Sequence, residues 1–155
     1  MLKAFDVALY FLFMAKSENM GDTISNLKMQ KLLYLAQGHY IAVFDEPLFN
    51  DKIEAWRYGP VVKSVYDKFK KYKDLSIDFK ELDKFNASLY TQKHLDMLPY
   101  VFYKYNISAR ELVALTHDSG PWKEYYNQYT TQEIPLQAVK AYFKETLEED
   151  AKRYL

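Results

Sequence analysis

The sequence predicts a mainly α, compact single-domain helical fold with at most a small β-hairpin or extended segment around residues 45–58. Three observations carry this reading. Apolar residues recur at three- and four-residue steps over most of the chain, the spacing of one helix face. Helix-starting signals, a capping box at Ser108–Glu111 and prolines at segment starts, stand between these runs. Only four glycines and five prolines in 155 residues leave little room for long loops, and a chain of that length makes one domain burying roughly 68–70% of its unfolded surface.

The first helix covers Ala4 to Ser17. It is apolar nearly all round, through Phe5, Val7, Leu9, Tyr10, Phe11, Leu12, Phe13 and Met14, and a helix without a polar face is wrapped by its neighbours. Superficially it resembles a signal peptide. Asp6 interrupts it, however, and no small-x-small cleavage site precedes Lys16. Its apolar run also falls short of the about 20 residues that cross a bilayer. It reads as a core helix, with no membrane association, and Met20-Gly21-Asp22 breaks it. A second helix runs from about Ser25 to Phe44. Met29, Leu32, Leu33, Ala36, Tyr40, Val43 and Phe44 share one face, while Lys28, Lys31, Gln37 and His39 fall largely elsewhere.

Asp45-Glu46-Pro47 and Phe49-Asn50-Asp51-Lys52 are turn signals. The partial alternation from Ile53 to Tyr58 fits a hairpin or extended loop, not a sheet. Gly59-Pro60 is expected to open a third helix, with Pro60 in the first turn where its missing N–H costs nothing, and with Val61, Val62, Val65, Tyr66, Phe69 and Tyr72 as its stripe. Lys73 to Lys84 reads as a loop with short 3₁₀ or extended pieces. A fourth helix spans about Ala87 to Tyr105. An interior proline costs about 3 kcal/mol, so a kink or break is expected at Pro99. The capping box starts a fifth helix ending near Thr116. Asp118-Ser119-Gly120-Pro121 turns the chain into a short helix with Trp122, Tyr125 and Tyr126. Pro135 starts the last helix, with Leu136, Val139, Tyr142, Phe143 and Leu147 inward. No repeat, low-complexity tract or linker interrupts the series.

Composition narrows the function. Twenty-one basic side chains balance 21 acidic ones. A neutral chain binds nucleic acid only through a segregated basic face. The densest basic cluster, Lys68, Lys70, Lys71 and Lys73, is flanked by Asp67 and Asp74 and reads as a solvated helix end, so nucleic acid is not the expected partner. With no cysteine there is no disulfide framework, thiolate metal site or cysteine nucleophile, a usage compatible with a reducing cytoplasm.

No residue set nominates catalysis. His39, His94 and His117 make neither an HxxxH pair nor an HExxH. His117-Asp118-Ser119 has the residue types of a hydrolytic triad, but triads assemble from distant segments, and the trio reads as a helix end and turn. Gly59 and Gly120 stand alone, so no glycine-rich loop cradles a phosphate. Glu148-Glu149-Asp150 with Lys144, Lys152 and Arg153 reads as a solvated charged helix face. No cofactor or metal is expected.

Aromatic residues are in excess: 15 tyrosines, ten phenylalanines and two tryptophans. Tyrosine suits interfaces because it buries a rigid ring behind a polar tip. Compositional bias and core filling also account for such an excess and are the favoured reading, with a functional tyrosine surface as the alternative. Basic and aromatic residues interleave from Tyr66 to Tyr72, a pattern that could stack single-stranded bases, but the neutral charge argues against it.

Three segments resemble one family. Leu27-Lys28-Met29-Gln30-Lys31-Leu32-Leu33-Tyr34, continuing to Gly38-His39-Tyr40, is similar to the first signature of Panacea domains. Leu48-Phe49, then Ile53-Glu54-Ala55-Trp56-Arg57-Tyr58-Gly59-Pro60-Val61-Val62 and Val65-Tyr66, resembles their central block. Thr116-His117 with Pro121-Trp122 resembles a later element. Met29 replaces the commoner leucine and Lys63 a frequent proline, both small departures. The resemblance covers nearly the whole chain and implies a single stand-alone Panacea-like domain over residues 1–155. It also implies a SocA-like antitoxin that neutralises a cognate toxin protein by direct contact, or alternatively an adaptor delivering that toxin to an AAA+ protease. Gln30, Lys31 and Tyr34, on the less apolar face of their helix, are expected to be exposed and available to the partner. Arg57 is either a buried hydrogen-bond anchor or an interface arginine. Trp56, Tyr58, Gly59 and Pro60 either hold the helices together or touch the partner. Trp122 is expected to pack on the second helix, with partner contact as the alternative. The partner-binding set is therefore Gln30, Lys31, Tyr34, Arg57, Tyr58 and Trp122.

Overall fold

The computed structural model describes residues 1–20, 24–118 and 120–147. Gly21 and Asp22 of the first expected break, Ser119, and the charged run at Glu148-Glu149-Asp150 with Lys152 and Arg153 lie outside those residues. The fold is mainly α. Helix α1 is Ala4–Ser17 and α2 is Asn26–Phe44; strands β1 (Glu54–Trp56) and β2 (Gly59–Val61) form a hairpin. Helices α3 (Lys63–Phe69), α4 (Gln92–Lys104), α5 (Ala109–His117) and α6 (Gly120–Tyr125) follow, then β3 (Gln132–Glu133) and α7 (Leu136–Thr146). Short 3₁₀ turns lie at Lys70–Tyr72, Phe79–Lys84 and Ala87–Leu89, so the third helix ends before Tyr72 and the fourth starts at Gln92 instead of near Ala87.

Local chemistry fixes most helix ends. The Ser25 hydroxyl caps α2 by accepting from the Lys28 N–H at 3.2 Å. The other end of α2 closes on Asp45 in the left-handed conformation, φ 61°, which aspartate tolerates better than most residues. Ser108 accepts from the Glu111 N–H at 3.1 Å, and its hydroxyl donates to the Glu111 carboxylate at 3.1 Å. That closes the box side chain to side chain. Pro99 lies inside α4 without ending it. Its missing hydrogen orphans the carbonyl of Leu95, a residue on the exposed side of the helix.

α2 is the hub. It packs on α1, α3, α4, α5, α7 and β2, and almost every residue from Asn26 to Val43 is buried. α1 is likewise enclosed, from Ala4 and Val7 through Leu12 to Ala15. Val139, Phe143 and Leu147 seal the core from the α7 side. Among the described residues no helix is long and apolar enough to cross a membrane.

Two further sequence expectations are corrected. Gly59 and Pro60 belong to β2, and α3 starts only at Lys63, after Val62. The strands also form more than a hairpin: β3 adds to β1, giving a three-stranded antiparallel sheet of order β2-β1-β3. Ile134 N–H donates to Ile53 O at 2.7 Å, so by alternation Ala55 bonds Gln132 and stands opposite Pro60 in a non-hydrogen-bonded pair. Proline, lacking an N–H, fits that register. Its carbonyl and the Val62 N–H then point away from the sheet.

Candidate functional site

Side chains of α2 serve that open edge of β2. Lys31 Nζ donates to Pro60 O at 2.8 Å, and Val62 N–H donates to Gln30 Oε1 at 2.9 Å. Gln30 is itself held by Asn26, whose Oδ1 accepts from Gln30 Nε2 at 2.9 Å; Asn26 Nδ2 donates to Tyr66 O at 3.2 Å. One helical turn and a half further on, Gln37 does the same for the preceding segment. It accepts from Leu48 N–H at 2.7 Å and donates to Phe49 O at 2.7 Å. Polar residues of the helix thus replace the missing neighbour strand, so the buried backbone of residues 48–62 keeps its partners.

The expectation that Gln30, Lys31 and Tyr34 face solvent therefore fails. All three are buried, Lys31 and Tyr34 at 0% exposure, because α2 has no outer face. Lys28, Gln37 and His39, placed off the apolar face, are buried too. The Lys31 amine sits in a site that penalises its charge, and burial drives its pKa down to about 7. Tyr34 packs edge-on against Phe143, ring centroids 5.5 Å apart. It lines a cavity of about 170 Å³ with His39, Tyr105, Thr116 and Phe143, where His39 Nε2 and the Tyr105 hydroxyl are hydrogen-bonded at 2.7 Å.

The hairpin tip has the opposite character. Arg57 and Tyr58 are the two residues between the paired Trp56 and Gly59. Both keep negative φ, and the positive φ of the turn, 112°, falls on Gly59, which alone among residue types adopts it freely. Gly59 is also pressed from within: a β-carbon there would meet Lys31 Cε and Thr116 Oγ1, each at 3.0 Å. The result is that Arg57 and Tyr58 project outward. Tyr58 is 56% exposed, and Arg57 is exposed with its guanidinium 5.4 Å from the Tyr58 ring. The buried-anchor alternative for Arg57 is thereby removed.

Trp122 ties the last motif to this hairpin. Its indole N–H donates to Trp56 O at 2.7 Å. The half-buried ring stacks on His117 at 3.9 Å, 10° from parallel, and on Tyr126 at 4.7 Å, 16° from parallel. Where the sequence suggested packing on the second helix, its polar and stacking contacts go to the hairpin and this aromatic stack. Trp56 lies against Tyr66 at 4.8 Å and donates to Glu54 Oε1 at 3.0 Å. The three motif segments, distant in sequence, meet around Gly59 and Pro60: Gln30 and Lys31 from below, Thr116 beside, Trp122 alongside.

Between the hairpin and the stretch after α6 runs an open cleft of about 320 Å³, lined by Ala55, Trp56, Arg57, Tyr126 and residues 127–131. Tyr129 there is 84% exposed. Sequence reasoning missed Tyr126, Tyr129 and Gln37 as site residues. The tyrosines carried only the general aromatic excess, and Gln37 carried no signal beyond its polarity.

Comparison with known proteins is consistent with this geometry. The family model described as "Antitoxin SocA-like, Panacea domain" matches residues 29–123, a span that holds all three motif segments almost entire. Antitoxin SocA of Caulobacter vibrioides (strain NA1000 / CB15N) is 32% identical over 124 residues, covering 72% of this chain and 64% of the relative. The chain thus spans less than two thirds of that relative's length. No solved structure matches it.

Proposed function

Since the chain belongs to the SocA-like antitoxin family with the Panacea domain, we propose that it is the antitoxin of a toxin–antitoxin pair and neutralises a cognate toxin protein by direct contact. The observation that carries the contact mechanism is the hairpin tip, where an arginine and a tyrosine stand in solvent on a backbone clamped from behind by Gln30 and Lys31. Arginine, tyrosine and tryptophan are the residue types that dominate binding energy at protein interfaces, and a rigid support lowers the entropy lost on association. The role assigned here to Gln30 and Lys31 is to position the tip, and that of Tyr34 is to fill the core beneath it. The protein acts in the cytoplasm, and no catalytic step is needed.

Co-expression with the product of the adjacent gene tests this. Growth arrest by that product alone, relieved by this chain, together with a co-purifying complex, supports the reading; a harmless neighbour sinks it. Delivery to an AAA+ protease would instead shorten the toxin's half-life whenever this chain is present.

A further inference from the structure

We propose that the cleft between the hairpin tip and residues 126–131 docks an extended, carboxylate-bearing segment of the partner protein, with Arg57 as its anchor. This rests on the antitoxin reading above and assigns the surface and its chemistry.

Charge complementarity is the first argument. Among the described residues, Lys63, Lys70, Lys71, Lys84, Lys93, Lys123, Lys140 and Lys144 are all in ion pairs. Arg57 is in none, like several other exposed cations, but among the residues lining the cleft it is the one cation, with its guanidinium over the Tyr58 ring. Stacking on an aromatic face orients a guanidinium while leaving its N–H fork unused, and that fork matches a carboxylate bidentately.

The second argument is shape. The cleft is open on its solvent side, and its far wall, residues 127–131, is exposed at every position. Tyr129 and Tyr126 supply rigid apolar area for the side chains of a segment lying in it.

The third argument separates protein from nucleic acid. A phosphate backbone is gripped by many cations. Here the cleft itself offers a single arginine, and Lys123, on the neighbouring helix, is already 4.0 Å from Asp118. One carboxylate suits it better than a polyanion.

The test measures affinity for the purified product of the adjacent gene, by calorimetry on the full chain. Arg57→Gln is expected to weaken binding roughly 10- to 100-fold and Tyr129→Ala roughly tenfold, the range of interface hot spots. Arg57→Lys, which keeps the charge and loses the fork, should fall between. Both side chains are exposed, so the melting temperature should not move. Restoration of Arg57→Glu binding by an acidic-to-lysine change in the partner would identify the paired carboxylate. Unchanged affinity of Arg57→Gln and Tyr129→Ala overturns the cleft assignment and leaves the antitoxin reading standing. Failure of the unaltered chain to bind overturns both. Loss of retention on a single-stranded oligonucleotide in Arg57→Gln, with toxin affinity unchanged, overturns it in favour of a nucleic acid.

Discussion

Lys31 Nζ and the carbonyl of Pro60 are hydrogen-bonded at 2.8 Å inside the protein, joining the central helix to the strand that carries the exposed hairpin tip. A lysine here does what a backbone N–H of a further strand would do, and its long stem crosses the gap beneath Gly59. The arrangement keeps a titratable amine in an environment that disfavours its charge.

Stability should accordingly rise with pH above neutrality. Lys31 loses its proton near pH 7 in the folded protein, whereas an unfolded lysine holds one to about pH 10.4. Between those values the unfolded chain binds more protons, so raising the pH favours folding. The gain from pH 7 to pH 9.5 is up to about 3 kcal/mol, at 1.36 kcal/mol per unit. Below pH 7 both states are protonated and the cost of the buried charge is constant. Above pH 10 the slope reverses, because burial holds the hydroxyls of Tyr40 and Tyr90 protonated beyond the ordinary tyrosine range. Urea unfolding across pH 6–9.5 checks this, and Lys31→Met should flatten the profile. An equal slope in both proteins would rule Lys31 out as its source.

Gly38 is a packing glycine. Substituting alanine for glycine inside a helix ordinarily stabilises by about 1 kcal/mol, but a β-carbon at position 38 would lie 2.3 Å from the Phe143 ring. Gly38→Ala should therefore destabilise by about 1–3 kcal/mol, the usual cost of overpacking. Shortening the ring partner, in Gly38→Ala with Phe143→Leu, should recover part of the loss in thermal melts. A stable single variant would show that α7 moves away cheaply.

Gln37 secures the segment before the hairpin through two buried hydrogen bonds. Gln37→Leu strands the Leu48 N–H and the Phe49 carbonyl, at about 1–3 kcal/mol for each unsatisfied group. The expected result is a loss of about 2–6 kcal/mol in chemical denaturation. Faster hydrogen exchange at the Leu48 amide would localise it, and unchanged exchange there would contradict the assignment.

Gly59→Ala meets two obstacles, a φ of 112° and close contacts with Lys31 and Thr116. A cost of about 1–3 kcal/mol follows from the backbone alone. Since the turn presents Arg57 and Tyr58, affinity for the proposed partner should drop by more than the stability loss accounts for. Titration well below the melting temperature separates the two; full affinity in the folded variant would mean the tip tolerates repositioning.

Much of the helical layout was legible because its determinants are local. The Ser25 and Ser108 caps and the uniformly apolar run from Ala4 act within a turn or two of their own position, and each helix lies close to where those signals put it. The turn at Asp45-Glu46-Pro47 was equally local. β3 was not legible: two residues carry no alternation, and Gln132 finds Ala55 only across a long stretch of chain. Pro60 was placed in a helix because proline suits a helix start and a strand edge alike, and only its register opposite Ala55 decides between them.

The sequence by itself determined the mainly helical class, the family and the positions of its motif residues along the chain. It did not determine which way they face. Gln30, Lys31 and Gln37 look like solvent-facing residues in the one-dimensional pattern, since polarity is ordinarily paid for by water. In three dimensions α2 is enclosed on every side, and the only groups left to satisfy those side chains are backbone atoms of residues 48–62. That pairing exists only once the extended segment lies across the helix, so tertiary structure alone turned apparent contact residues into the support of the hairpin and left Arg57 and Tyr58 at the surface.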